Sequence, residues 1–85
     1  MRNYYGEPTK NFGTVKLKVE ELRKAAGMSK NELCYRAEVQ RTQLIRFCRD
    51  EITRLDTDVL ARFCYAFNCT IGDLLEYIPP KGSEE

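Results

Sequence analysis

Residues 29–48, SKNELCYRAEVQRTQLIRFC, carry the reading that decides the fold. Ser29 followed by Glu32 is a capping box, in which serine and glutamate satisfy each other's free backbone N–H groups; a helix therefore opens here and runs to about Ala37. A second helix covers 40–48, with Leu44, Phe47 and Cys48 on one face. Only Glu38 and Val39 separate the two. A connection that tight cannot lay the helices antiparallel, so they cross steeply and the second projects outward on the support of the first. At about 100° per residue, Thr42, Arg46 and Arg49 fall opposite the apolar face, with Gln43 and Ile45 flanking them and Arg41 in the first turn.

Helices also flank this pair. Val19, Leu22 and Ala26 lie at helical spacing, and Gly27 follows where a C-cap favours a left-handed residue. Downstream, RDEITRL (49–55) is a polar connection, and Asp56 caps a helix that turns Val59, Leu60, Phe63, Cys64 and Phe67 inward before ending near Asn68. Thr70–Asp73 is a second box-like start leading into Leu74 and Leu75, and Pro79–Pro80 blocks continuation. Before the first helix, Val15 and Leu17 alternate with Lys16 and Lys18, either as a short half-buried strand that can pair with Tyr77–Ile78 or simply as the lead-in to that helix. The organisation expected is an arm over 1–13, one helical domain over 14–79 and a tail over 80–85.

Eighty-five residues support one modest core. No apolar run is long enough to span a bilayer, and MRNYYGEPTK lacks the apolar stretch of a secretory leader, so the expected location is the cytoplasm, at the nucleoid. Cys34, Cys48, Cys64 and Cys69 include no CxxC pair and histidine is absent, so the cysteines read as small core residues, with neither metal nor cofactor expected. No nucleophile–base pair or phosphate loop points to an enzyme. Net charge is only +1, but residues 1–54 hold twelve Lys/Arg against seven Asp/Glu, whereas 55–85 hold two against six. One end of the molecule thus suits a polyanion and the other does not.

The exposed side of the projecting helix has the chemistry of a major-groove reader. Arginine forks onto guanine, glutamine pairs with adenine, and threonine or isoleucine touches a thymine methyl. The start of the preceding helix, with its free N–H groups at Ser29 and with Lys30 beside them, suits a backbone phosphate.

The segment KVEELRKAAGMSKNELCYRAEVQRTQLIRF (18–47) resembles the first three helices of the phage repressor and Cro type of helix-turn-helix protein, the XRE-like regulators. LDTDVLARFCYAFNCTIGDLLEYI (55–78) is similar to a compact subfamily marked by C-x-A-[LF]-N-C-x-x-G-D-L-L-E-Y, so the likeness spans about Val15 to Ile78. It implies an all-α, five-helix, repressor-like domain with a short strand pair joining the termini. It also implies a sequence-specific transcriptional regulator that binds double-stranded DNA, as a homodimer on a palindromic operator.

By position, Arg41, Thr42, Gln43 and Arg46 fall where the family reads bases. Ser29, Lys30, Gln40, Arg49, Thr53 and Arg54 fall where it meets the DNA backbone, the last three in or beside a loop about two residues longer than in the plainest members. Leu33 matches the buried residue of the second helix, and Cys34 stands where alanine is usual. Cys64 and Cys69 match cysteines of the subfamily's fourth helix. Glu38 replaces a common glycine, which implies a looser or modestly strained turn, and Gln40 replaces a Ser or Thr cap with a poorer one. Tyr35 and Tyr65 are expected to be partly buried scaffold; Tyr4, Tyr5 and Phe12 read as packing residues or disordered arm in preference to a groove-inserting one. A helical interaction module on the same fold, such as an antitoxin or adaptor, is the competing reading; it requires an apolar patch where the third helix shows Arg and Thr.

Overall fold

The structure is a computed structural model that describes residues 10–81; Tyr4, Tyr5, most of the arm and residues 82–85 of the tail lie outside the described residues. The chain runs β1 (Thr14–Leu17), α1 (Val19–Ala25), α2 (Lys30–Ala37), α3 (Arg41–Cys48), α4 (Thr57–Phe67), α5 (Ile71–Leu74) and β2 (Leu75–Ile78). The strand pair forms: β1 and β2 are antiparallel, with Val15 opposite Tyr77 and Leu17 opposite Leu75. β2 starts directly after α5, so Leu75, read as helical from the sequence, is the first residue of the strand. The N–H of Lys18 donates to Leu74 O at 2.8 Å and closes this junction. Gly13 is obligatory at the entry to β1, since a Cβ there would stand 2.4 Å from Ile78 O and φ is +92°.

Side-chain caps set the helix starts. The Oγ of Ser29 accepts the Glu32 N–H at 3.0 Å, but the reciprocal half of the expected box does not form. Glu32 turns instead to Arg36 one turn on, at 2.9 Å, because a guanidinium competes for the carboxylate. Asp56 Oδ1 accepts the Asp58 N–H at 3.0 Å, and Thr70 with Asp73 makes a complete box. Gln40 has the extended backbone of an N-cap and no side-chain bond, leaving unused about 1 kcal/mol that serine or aspartate would supply.

Helix ends obey one rule. Gly27, Glu38, Asp50 and Asn68 all adopt positive φ one or two residues beyond the ends of α1 to α4. Around Gly27 the bonds are those of a Schellman motif, with Met28 N–H donating to Arg23 O (3.1 Å) and Gly27 N–H to Lys24 O (3.0 Å).

Phe63, Leu33, Leu44, Leu74 and Val19 are the fully buried residues about which α1 to α5 pack, and Phe47 meets Phe63 edge-on at 5.1 Å. The four cysteines are half-buried at the margin of this core, and Cys69 lies past the end of α4 in the turn to α5. Ile52 and Leu55 also pack on it, which anchors the polar connection over 49–55. Two readings of burial are corrected. Tyr35 and Tyr65 are 84% and 85% exposed, because each sits on the outward side of its helix with no described element above it. Val15 is exposed although Leu17, two residues on along the same strand, is buried.

The α2–α3 reversal is the costly part of the fold. Glu38 takes φ 55° and ψ 49°, and Val39 N–H donates to Cys34 O at 3.2 Å. The turn is therefore as tight as a glycine would make it, and the strain falls on the Glu38 backbone. From α4, Arg62 Nη1 donates to Glu38 O at 2.7 Å while Nη2 pairs with Asp58 at 3.1 Å. Glu38→Gly should therefore stabilise the protein by about 0.5–1 kcal/mol, the relief of left-handed strain less the extra chain entropy of glycine. Thermal melts should show a rise of a few degrees for Glu38→Gly and none for Glu38→Ala, which keeps the Cβ.

Candidate nucleic-acid interface

α3 presents two unlike faces. Leu44 and Phe47 are buried and Cys48 is half-buried, whereas Arg41, Thr42, Arg46 and Arg49 are exposed. Gln43 and Ile45 are half-buried at the margins. Among the described residues, neither Arg46 nor Arg49 forms an ion pair, so both guanidinium groups remain available to an outside anion.

Three of the positions singled out from the sequence share one groove. Lys30 at the start of α2, Arg41 at the start of α3 and Arg49 at its end line a depression with Glu20, Ile45 and Cys48. Ser29 and Gln40 are the exposed N-caps of α2 and α3; the Ser29 hydroxyl is already committed to its own helix, while the Gln40 amide makes no cap bond. Thr53 belongs to a different groove, between β1 and the α3–α4 connection, and Arg54 is exposed in that connection.

The floor of the Lys30–Arg41–Arg49 groove is held by α1. Arg23 donates from Nε and Nη2 to the two oxygens of Glu20 at 3.0 and 2.8 Å, and from Nη1 to Met28 O at 2.7 Å. All three nitrogens of that guanidinium are engaged within the fold, tying α1 to the residue that precedes the Ser29 cap. Arg23 first and the Cys48 thiol second hold the Glu20 carboxyl down at about 2. The Cys48 thiol is pushed up to about 11 by burial and then by Glu20, so at neutral pH it is an uncharged thiol with little nucleophilic character.

Sequence reasoning missed several residues here. Glu20 and Arg23 are three apart on one helix face, a spacing that announces an ion pair. Asn31 accepts a hydrogen bond from Arg41, and Arg62 clamps Glu38; these contacts join residues 10 and 24 apart, and no local pattern foretells them.

Comparison with known proteins fits this geometry. A profile of the Cro/C1-type HTH DNA-binding domain matches residues 18–80, more than half of the chain. The protein belongs to that family. Among solved structures, one described as transcriptional regulator VanUg superposes with a TM-score of 0.65 at 23% identity, over 87% of this chain and 97% of that one. This likeness shows a shared fold. No curated protein matches the chain. None of the described helices is long and apolar enough to cross a membrane.

Acid should weaken the α1 brace. The depressed Glu20 pKa contributes stability that is complete above the ordinary value of 4.5 and is lost as pH falls through about 2. Glu20→Gln should cost about 1 kcal/mol at pH 7, as expected for a partly exposed ion pair. The difference from the parent protein should shrink below pH 4.5 and vanish only below about pH 2, as read from urea midpoints across that range.

Proposed function

We propose that this protein is a sequence-specific transcriptional regulator that reads the major groove of double-stranded DNA with α3. Family membership supports the DNA-binding class. The observation that carries the finer reading is the exposed face of α3, which is Arg41, Thr42, Arg46 and Arg49, with none of the large exposed apolar residues on it. Arg41, Thr42, Gln43 and Arg46 are the base-contacting set, and Ser29, Lys30, Gln40, Arg49, Thr53 and Arg54 the backbone set. One eight-residue helix has few base contacts to offer, so two copies act on a palindromic operator. The acidic C-terminal part is the surface left for pairing, because it keeps the basic helices free. The protein works in the cytoplasm at the nucleoid, without catalysis, metal or cofactor.

The interaction-module reading draws on one observation, the exposure of Tyr35 and Tyr65 on α2 and α4, since tyrosine is common at protein contacts. The polar surface of α3 weighs against it.

Arg46 and Lys30 should fail differently. Arg46→Ala should cost about 1–3 kcal/mol on a selected operator and relax preference at one base pair. Lys30→Ala should weaken operator and scrambled duplex alike and make the salt slope shallower by about one unit. Titrations of both variants against both duplexes at several salt concentrations separate the two. Equal loss on both duplexes for Arg46→Ala makes Arg46 a phosphate clamp. No effect from either variant transfers the weight to the interaction module.

A further inference from the structure

Asn31 belongs to neither set of expected contacts, yet its side chain reaches the most N-terminal residue of α3. It is the second residue of α2, exposed, and its Oδ1 accepts a hydrogen bond from Arg41 Nη1, also exposed. This direct side-chain bond joins the starts of the two helices that make the motif. Among the described residues, it is the one polar contact that the Arg41 side chain makes.

A guanidinium carries five N–H donors in a rigid planar fork. Holding Nη1 on Asn31 narrows the range of orientations open to that fork and leaves the Nε–Nη2 edge open. That edge alone suffices for a side-on bidentate contact with the O6 and N7 of guanine. An exposed arginine otherwise samples many rotamers, and ordering it on binding subtracts from affinity.

We infer that Asn31 is a positioning residue that locks Arg41 for base recognition, so that discrimination at one base pair depends on a side chain that never touches it. This rests on the DNA-reading function proposed above. Asn31 acts through Arg41, and its own amide Nδ2, which has no partner among the described residues, stays free for solvent or phosphate.

The test begins with selection of a duplex by the parent protein, followed by competition against duplexes changed at each base pair. Arg41→Ala is expected to erase preference at one base pair. Asn31→Ala is expected to reduce preference at that same pair by about tenfold and leave the others intact. The double variant should be no worse than Arg41→Ala alone, because the two residues act as one unit. Asn31→Asp keeps the acceptor oxygen, so it should retain the base preference while lowering overall affinity through repulsion from phosphate. Thermal melts should be unchanged, since both residues are exposed, and in the free protein the Arg41 guanidinium signals in NMR should broaden on Asn31→Ala.

Equal weakening of selected and scrambled duplexes by Asn31→Ala would make Asn31 a direct backbone contact and overturn the inference. So would additive losses in the double variant, or an Arg41→Ala variant that keeps every base preference. If the parent protein selects a duplex and only the Asn31 variants behave normally, the positioning role alone fails. If the parent protein selects no duplex, the DNA-reading function fails and the inference falls with it.

Discussion

Glu38 reverses the chain between α2 and α3 in a left-handed backbone, a conformation that costs a residue with a Cβ about 1–2 kcal/mol. Everything that makes α3 a projecting helix follows from that reversal. A longer or extended connection would let α3 fold back beside α2 and bury its arginines against the domain. The strain is borne because the surroundings over-determine it. Ala37 and Val39, on either side, are buried in the core, and Arg62 on α4 donates to the Glu38 carbonyl at 2.7 Å. The crossing of α2 and α3 is thus fixed from both sides, by apolar burial below and a charged donor above.

Charge in this domain divides into arginines that are spent and arginines that are free. Arg23 gives three nitrogens to Glu20 and Met28, Arg36 pairs with Glu32, and Arg62 spans Asp58 and the turn. Arg46 and Arg49 on the outer side of α3 have no such partners among the described residues. The contrast matters because an arginine already paired must break that pair before it can bind an anion. A near-neutral chain can therefore still present a cationic face.

Much of this was legible in the residues. Periodicity and caps placed all five helices, because Ser29, Asp56 and Thr70 act through bonds two or three residues long. The alternation of Val15–Leu17 left a strand and a lead-in to α1 both open, and the pairing with β2 decides for the strand. What escaped was long-range or competitive. Glu32 was assigned to the Ser29 cap, but a neighbouring guanidinium captured it. Tyr35 and Tyr65 looked like scaffold because aromatics usually find cover, and only the packing of α2 on α4 decides which side is left open. The left-handed Glu38 was foreseeable as a departure from glycine, whereas its clamp depended on where α4 would come to lie. The same limit hid Asn31, whose partner lies ten residues away across the turn.

The central claim is that α3, presented by the α2–α3 turn, is the surface that meets DNA. Backbone amide chemical-shift mapping during titration with a duplex taken from a random-library selection tests it most directly. The account predicts that the largest changes cluster at residues 29–31 and 40–49, with the outer faces of α2 and α4 around Tyr35 and Tyr65 little affected. Changes centred on Tyr35 and Tyr65, with α3 silent, would contradict it.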